Sequence, residues 1–183
     1  MKVLPTEIGA VVIIEPEVFG DQRGFFLESF QRRRYGESGI DTDFVQDNIS
    51  FSVRNTLRGL HFQNPRGQAK LVQVLEGEIY DVAVDIRRGS PTFGQWTSAL
   101  LSGDNHRQFF LPAGFAHGFC VISETALFMY KCSEYYAPES EAGICWNDPD
   151  LAIPWPIQNP ILSQRDSNFP QLRAIDPNRL PVY

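Results

Sequence analysis

The middle of the chain alternates short apolar runs with turn residues, and this pattern limits the fold more than any other feature. Leu71–Leu75 and Ile79–Ile86 flank the turn Glu76-Gly77-Glu78 and predict a hairpin. Further apolar runs follow, most of them separated by turns that contain Gly, Pro or Asp: 96–101, 109–111, 118–122 and 126–132. Short strands at this spacing are typical of an antiparallel sandwich or barrel. Upstream, 11–14, 44–52 and 56–62 are also predicted to be extended.

The remaining segments are predicted to lie around this barrel. A short helix is predicted at Ser29–Tyr35, whose last turn holds Arg32-Arg33-Arg34, where cations suit the helix dipole. The Pro-rich tail, about 150–183, cannot form central strands and is expected to wrap the barrel. Lys2–Ile14, within an arm of about 1–20, is expected to be a strand that pairs with another subunit's sheet. We therefore predict a single domain, 1–183, that forms a homodimer.

The amino-acid composition argues against several classes of binding partner. With Lys+Arg 16 against Asp+Glu 22, the net charge is −6, which argues against non-specific binding to nucleic acid. The 3 Cys residues contain no CxxC pair and indicate neither a disulfide framework nor a zinc cluster. No apolar run approaches the roughly 20 residues of a membrane span. The N-terminus lacks a signal-peptide pattern. We expect a cytoplasmic protein with no membrane partner.

His61 lies in a stretch whose alternation separates polar from apolar side chains. In a regular strand, Gly59, His61 and Gln63 share one face, and Leu60 and Phe62 face the other way. Lys70 opens the next apolar strand, where a solvated lysine would be unremarkable. If Lys70 instead faces the interior beside His61, its charge disfavours imidazolium and leaves the ring available as a base near neutral pH.

His117 lies in Pro112-Ala113-Gly114-Phe115-Ala116-His117, which resembles the second signature of the cupin barrels. The first cupin signature begins with two histidines one residue apart and continues with a Glu and, after six residues, a Gly. Here His61 stands at the first histidine, but Gln63 replaces the second one. Lys70 stands where a metal-binding cupin has Glu. Because a cation at a ligand position repels a divalent metal, we expect a cupin-like barrel with no metal and no cofactor. An organic acid–base site would take the metal's place.

A set of motifs occurs in the order seen in the dTDP-4-dehydrorhamnose 3,5-epimerases, a family that this chain resembles over nearly its whole length. The motifs are Asp21–Phe30, Gln46–Asn48, Leu57–Gln63, Gly67–Lys70, Pro112–Phe119, Tyr130–Tyr136 and Leu162–Asp166. The resemblance implies an all-β fold: a cupin-like antiparallel β-barrel, or jelly roll, with a few short peripheral helices.

The resemblance also implies a substrate class and a reaction. The substrate would be a nucleotide diphosphate linked to a 4-keto-6-deoxyhexose, whose carbonyl makes the C3 and C5 hydrogens acidic. The enzyme would invert C3 and C5 of dTDP-4-dehydro-6-deoxyglucose to give dTDP-4-dehydrorhamnose, by proton abstraction, enolate formation and reprotonation. A 3- or 5-epimerase that inverts one centre needs the same base and acid and stays open. Less favoured are a metal-dependent cupin enzyme and a non-catalytic sugar-nucleotide binding module.

By resemblance, four residues carry the catalysis. His61 is the base, and Asp166 bonds its other ring nitrogen. Tyr130 is the opposing acid, with a pKa that a neighbouring cation could lower, and Lys70 meets the enolate oxygen. The implied substrate-binding residues are Arg23, Phe26, Glu28, Gln46, Asp47, Asn48, Arg58, Lys70, His117, Tyr136, Glu141 and Arg165.

Individual roles within this binding set also follow from the resemblance. Arg23 and Arg58 are candidates for phosphate contacts, and Tyr136 for stacking on the thymine. The chain departs from the family in three places. Arg165 stands where Lys is usual, Ile49 where many members have His, and Asn55 where they have Gly.

Overall fold

The computed structural model describes residues 1–183, which form two antiparallel β-sheets and a separate hairpin. The strands are β1 (Lys2–Pro5), β2 (Val12–Glu15), β3 (Val18–Asp21), β4 (Gly24–Leu27), β5 (Gln46–Val53), β6 (Leu57–Gln63), β7 (Lys70–Glu76), β8 (Glu78–Asp85), β9 (Trp96–Ser102), β10 (Gln108–Leu111), β11 (Phe115–Val121), β12 (Thr125–Cys132) and β13 (Glu141–Gly143). One helix, α1 (Arg32–Glu37), is accompanied by short 3₁₀ turns at Pro138–Ser140, Asp166–Asn168, Leu172–Ala174 and Pro177–Arg179.

The two sheets face each other as the halves of a jelly roll. The six-stranded sheet has the order β1-β2-β10-β7-β12-β5, and the five-stranded sheet has the order β13-β6-β11-β8-β9. All pairings within these sheets are antiparallel. The structure thus confirms the predicted all-β class with short peripheral helices.

An apolar core fills one part of the space between the sheets. Because side chains alternate along a strand, β7 sends Val72 and Val74 into this core and Leu71 to the outer face. Phe109 and Phe128 meet them from neighbouring strands. The inward face of the same strands becomes polar towards the other end of the sandwich, where Lys70 opens β7. The core therefore leaves one end of the barrel free for a site.

Peripheral segments bury the outer faces of both sheets. The tail supplies Leu151, Leu172, Ile175 and Leu180 to a cluster on the five-stranded sheet, which Ile144 joins from just before the tail. Helix α1 places Tyr35 against Ile14, Leu71 and Phe110 on the six-stranded sheet. The Pro-rich tail therefore wraps the sheet as its sequence indicates. No helix of the structure is both long and apolar enough to cross a membrane.

Two peripheral segments differ from the sequence-based expectation. Helix α1 begins at Arg32 and not at Ser29, because the Gln31 side chain accepts a hydrogen bond from the Arg34 N–H and caps the helix there. The N-terminal segment is not one extended arm. Its strands β1 and β2 pair with each other, and β2 pairs with β10 of the same chain. The hairpin of β3 and β4 was not predicted.

Gly77 joins β7 to β8 in a conformation that glycine alone adopts without strain. Its φ is +82°, and a Cβ there would overlap the carbonyl oxygen of Thr125. We expect Gly77→Ala to lower the free energy of unfolding by about 3 kcal/mol or more, measured by denaturant titration.

Gly89→Ala is the matched control for this substitution, because Gly89 has a similar φ of +86° but open space within 4 Å of the position that a Cβ would take. We expect it to cost only the backbone strain, about 1 kcal/mol. Equal losses in the two variants would contradict the role of the close approach at Gly77.

Candidate active site

A cavity of about 330 Å³ lies between the two sheets, at the polar end of the sandwich. Both sheets contribute side chains to its walls. The lining residues are Gln46, Asn48, Ser50, Arg58, His61, Phe62, Gln63, Gln68, Lys70, His117, Phe119, Phe128, Tyr130, Cys132, Tyr136, Glu141 and Arg165. Most of the residues that the sequence analysis selected therefore lie around one cavity.

His61 and Asp166 form a close polar contact at the five-stranded wall. His61 Nε2 lies 2.6 Å from Asp166 Oδ1. Strand β6 carries the histidine, and the aspartate begins a 3₁₀ turn in the tail, where its N–H donates to Ser163 Oγ. The Phe169 ring packs edge-on against the imidazole at 5.6 Å. A neutral imidazole that donates Nε2–H to the carboxylate keeps its Nδ1 lone pair free to accept a proton.

The charge on Asp166 is stabilised although the side chain is 4% exposed. Burial acts to raise the pKa of this carboxyl, but the hydrogen bond from His61 and the charge that the ring carries when it is protonated, with help from Ser163 and Arg165, outweigh burial. The pKa therefore lies below its ordinary value, and Asp166 stays ionised at neutral pH. An ionised Asp166 can stabilise an imidazolium at His61.

Tyr130 and Lys70 lie on the opposite wall. They belong to the paired strands β12 and β7, where Tyr130 stands opposite Val72 and Cys132 opposite Lys70. The Lys70 Nζ lies 5.9 Å from the centroid of the Tyr130 ring. Since His61 comes from the other sheet, a ligand in the cavity has the imidazole on one side and the phenol and ammonium on the other.

Burial shifts the pKa values of Tyr130 and Lys70 in the directions that favour their neutral forms. Desolvation raises the pKa of Tyr130, and the charge of Arg58 opposes this only in part. A neighbouring cation therefore does act to lower the Tyr130 pKa, as expected, but burial outweighs it and the pKa is raised. Desolvation also lowers the pKa of Lys70, with Cys132, Asp81 and Glu141 opposing. Tyr130 thus remains a protonated phenol, the form that donates a proton.

A β-bulge decides which residues of β6 reach the cavity. Between β6 and β11, His117 pairs with His61, but Phe119 pairs with Arg58, so β6 holds one extra residue there. Arg58 therefore lies on the cavity face with His61, in place of Gly59, which simple alternation had assigned to it. The Arg58 Nε donates to Ser52 Oγ at 3.1 Å. Gly59 packs against the backbone of Gly118 instead.

His117 pairs with a carboxylate of its own. Its Nε2 lies 2.8 Å from Asp81 Oδ1, and both side chains are buried. Its ring stacks near Phe128, with centroids 6.4 Å apart. Desolvation lowers the pKa of His117 even though Asp81 opposes the shift. A neutral His117 at the cavity wall is suited to hydrogen bonding with a substrate hydroxyl.

The rim of the cavity holds a cluster of three polar groups. Glu141 Oε2 accepts hydrogen bonds from the Tyr136 hydroxyl at 2.7 Å and from Arg165 Nη1 at 2.5 Å. The Tyr136 side chain is half exposed. An aromatic face beside a guanidinium suits the base and phosphates of a nucleotide.

The alternation of side chains along strand β5 explains why Asp47, a predicted substrate-binding residue, lies outside the cavity. Gln46, Asn48 and Ser50 alternate towards the cavity, so Asp47 faces outwards and forms an ion pair with Lys131 at 2.9 Å. The structure therefore does not place Asp47 in the cavity.

Three further candidates also lie outside the cavity of the single chain. Arg23 is in the β3–β4 hairpin and pairs with Asp21. Phe26 is on the same hairpin and is exposed, and Glu28 follows it and pairs with Arg34.

Other cavity residues were missed at the sequence level. Cys132, Ser50 and Gln68 line the cavity, and Asp81 supports it from behind. Asp81 had a usable signal, because a carboxylate inside the apolar run of β8 is rarely buried without a purpose. Cys132 had a weaker one, its even spacing from Tyr130 on a single strand.

Gln63, at the position of the second cupin histidine, has a structural role in this chain. The Gln63 amide donates to the Arg66 carbonyl at 2.9 Å and accepts from the Ala137 N–H at 3.0 Å. It thereby joins two loops at the cavity edge. No group of three or more His, Cys, Asp or Glu side chains is arranged to hold a metal ion.

The chain is similar to known proteins over most of its length. A family profile described as dTDP-4-dehydrorhamnose 3,5-epimerase matches residues 5–174. The dTDP-4-dehydrorhamnose 3,5-epimerase of Pseudomonas aeruginosa is 55% identical over 168 residues, covering 91% of this chain and 93% of the relative.

Two solved structures show the same fold. The dTDP-6-deoxy-D-glucose-3,5-epimerase of Legionella pneumophila, in complex with dTDP-4-keto-L-rhamnose, has a TM-score of 0.97 and 55% identity, covering 100% of this chain and 98% of that one. A 3′-monoepimerase of Streptomyces bikiniensis, with dTDP-quinovose, has a TM-score of 0.91 and 36% identity, covering 98% and 93%. By its profile match, its relatives and its cupin-like fold, the chain belongs to the dTDP-4-dehydrorhamnose 3,5-epimerase family.

Proposed function

We propose that the chain inverts both C3 and C5 of dTDP-4-dehydro-6-deoxyglucose to give dTDP-4-dehydrorhamnose, with its own side chains as base and acid. One observation carries the proposal: the His61–Asp166 pair and the Tyr130 hydroxyl lie on opposite walls of one cavity. Inversion of a carbon centre needs a base on one face of the sugar and an acid on the other. A binding module needs neither.

The reaction begins with proton abstraction by His61. Its free Nδ1 takes the proton from the carbon next to the 4-keto group, and the electron pair of the C–H bond moves into the carbonyl as an enolate. Asp166 stabilises the imidazolium that forms and holds the ring in position. Since the aspartate pKa is already low, the proton stays on the histidine.

The second half-reaction delivers a proton to the opposite face. Tyr130 is protonated because burial raises its pKa, and it donates its hydroxyl proton to the enolate carbon. Lys70, on the same wall, stabilises the negative charge on the enolate oxygen, where a cation in a desolvated cavity acts most strongly. Exchange with solvent returns both groups to their starting protonation states before the next inversion.

The nucleotide is bound at the rim. Arg58 and Arg165 are placed to contact the diphosphate, and Tyr136 presents an aromatic face for the thymine. Gln46 and Asn48 present amides to the sugar or the nucleotide, and His117 hydrogen-bonds a sugar hydroxyl. Glu141 orients both Tyr136 and Arg165.

A second copy of the chain completes the site in this proposal. The β3–β4 hairpin exposes Val18, Phe19, Phe25 and Phe26, and the edge strand β5 exposes Ile49, Phe51 and Val53. Apolar patches of this kind mark interaction surfaces. A homodimer that buries them would place Arg23, Phe26 and Glu28 of each hairpin at the partner's cavity, which accounts for three predicted contacts that the single chain leaves outside.

Incubation of the enzyme with dTDP-4-dehydro-6-deoxyglucose in heavy water tests the reaction. We expect NMR to show deuterium at both C3 and C5 and the formation of dTDP-4-dehydrorhamnose. Exchange and inversion at one centre alone would identify a 3- or 5-epimerase. An enzyme that binds the nucleotide but exchanges neither hydrogen would contradict the proposal.

We expect His61→Ala to lose at least about 10²-fold in turnover, because the general base is removed. Binding of dTDP, measured by calorimetry, should stay close to that of the wild type, since His61 lies on the sugar side of the cavity. Near-normal turnover would refute the assignment of the base.

Lys70→Met should lower kcat by about 10²-fold while changing the affinity for dTDP little, because the charge acts on the enolate. Methionine preserves the length of the apolar stem. A loss of affinity with unchanged kcat would instead assign Lys70 to the diphosphate.

Sedimentation should give a mass near twice the 20.8 kDa of one chain, and Phe19→Asp should shift it towards the monomer.

Mixing His61→Ala with Arg23→Ala chains tests the shared site. If each site uses both copies, the mixture should recover about a quarter of wild-type activity, because heterodimers carry one intact site. No recovery on mixing would place Arg23 and His61 in the same chain's site.

A further inference from the structure

Tyr136, which presents an aromatic face for the thymine in the proposed function, lies in the loop between β12 and the 3₁₀ turn at Pro138–Ser140. Its side chain is half exposed at the rim of the cavity, so packing alone does not hold the ring in one place. A surface that must first be ordered by its ligand binds that ligand more weakly. The contacts that fix this loop therefore bear on nucleotide binding.

Gln63 bonds the backbone on both sides of Tyr136. Its Nε2 donates to the Tyr135 carbonyl at 3.3 Å, and its Oε1 accepts from the Ala137 N–H at 3.0 Å. The same Nε2 also donates to the Arg66 carbonyl at 2.9 Å. Because the partners are two carbonyls and one N–H, only one orientation of the amide satisfies all three contacts.

The contact between Gln63 and Ala137 is buried. Gln63 is 6% exposed and Ala137 is 1% exposed. Without the Gln63 amide, the Ala137 N–H would lose its partner, and a buried unpaired donor is costly. The loop would then shift so that this N–H reaches water, and Tyr136 would move with it.

Two further contacts hold Tyr136 itself. Gln46 Oε1 accepts from the Tyr136 N–H at 2.9 Å, and Glu141 Oε2 accepts from the Tyr136 hydroxyl at 2.7 Å. Glu141 is also the strand partner of Gln63 between β13 and β6. Amide side chains from β5 and β6 thus hold the backbone around Tyr136, and a carboxylate from β13 holds its hydroxyl.

We propose that Gln63 is a positioning residue that holds the Tyr136 loop in place before the nucleotide binds, so that the base meets a preformed aromatic surface. The amide N–H groups of Gln63 are used by backbone carbonyls, so Gln63 acts through Tyr136 and not as a donor to the ligand. This inference rests on the proposed epimerase function, and within it on the contact between Tyr136 and the thymine.

Gln63→Met tests the inference, because methionine is uncharged and similar in length but cannot form the three hydrogen bonds. The probes are dTDP and 2-deoxyribose 5-diphosphate, which is dTDP without its base, and calorimetry measures both affinities. In the wild type, stacking of the base should raise the affinity about tenfold or more. In Gln63→Met, dTDP should bind about tenfold more weakly, while the affinity for the base-free diphosphate changes less than about twofold.

Turnover gives an independent readout. No hydrogen bond joins the Gln63 amide to the His61–Asp166 pair. We therefore expect Gln63→Met to raise KM about tenfold and to keep kcat within about threefold of the wild type. A loss of kcat with an unchanged KM would place the effect at His61 and overturn the inference. An equal loss of affinity for both diphosphates would show general damage to the cavity and would also overturn it.

Arg66→Gln is the matched control. The exposed Arg66 side chain forms an ion pair with Glu134 in the same loop, but it does not bond the backbone next to Tyr136. The Arg66 carbonyl that accepts from Gln63 stays in place. This variant should keep the wild-type preference for dTDP over the base-free diphosphate. If it loses the preference as Gln63→Met does, any change to the loop has the same effect, and the inference fails.

A double-mutant cycle separates action through Tyr136 from a direct effect on the ligand. In the Tyr136→Ala background, Gln63→Met should weaken dTDP binding less than about twofold, because the surface that Gln63 positions is gone. Losses that multiply independently would contradict the inference.

If Gln63→Met does not fold, amide hydrogen exchange of the wild type gives the answer. An Ala137 amide that is protected equally with and without dTDP supports a preformed loop. Protection that develops only with dTDP would show that the ligand orders the loop, and would overturn the inference.

The proposed function and this inference fail by different results. A wild type that binds dTDP but exchanges no substrate hydrogen with heavy water would overturn the epimerase function. A wild type that binds the two diphosphates equally would remove Tyr136 from the base and overturn this inference, while leaving the acid–base reaction standing. A wild-type preference for dTDP that persists in Gln63→Met would overturn this inference alone.

Discussion

Two buried carboxylates hold the two histidines of the cavity, and the chemistry of the site depends on them. His61 and His117 are paired opposite each other on β6 and β11, and each contacts its own aspartate through Nε2. Asp166 comes from the tail and Asp81 from the neighbouring strand. Each contact fixes an imidazole that would otherwise rotate. At Asp166 the contact also keeps the carboxyl ionised against burial, whereas burial raises the pKa of Asp81.

The jelly roll separates these polar groups from its apolar core without a second domain. Along β7, Val72 and Val74 lie in the core between the sheets, and Lys70, at the start of the same face, reaches the cavity. Along β12, Phe128 belongs to the core and also reaches the cavity, and Tyr130 follows it on the cavity face. Because the two sheets face each other, the His61 imidazole on one and the Tyr130 phenol on the other lie on opposite sides of whatever occupies the cavity, the arrangement that inversion of a carbon centre requires.

The alternation of strands and turns was enough to predict the barrel, because both are local properties. The order of motifs gave the resemblance to the family, and that resemblance implied most of the cavity residues. Sequence reasoning failed where long-range packing intervened. The bulge in β6 exchanged Gly59 for Arg58 on the cavity face, and alternation could not reveal an extra residue. Burial raised the pKa of Tyr130 against the expected effect of a cation. Asp81 was missed although its place inside the apolar run of β8 was a local signal.

The residue types and their spacing by themselves determined that this chain forms short antiparallel strands, and the resemblance to the epimerases singled out His61, Lys70, Tyr130 and Asp166 as candidates for acid–base chemistry. Only the tertiary structure decided that Asp166, 105 residues after His61, closes to 2.6 Å from its ring, and that Asp47 faces away. The physical reason is that backbone alternation is set within a few residues, whereas charge burial and sheet register depend on segments far apart in the chain.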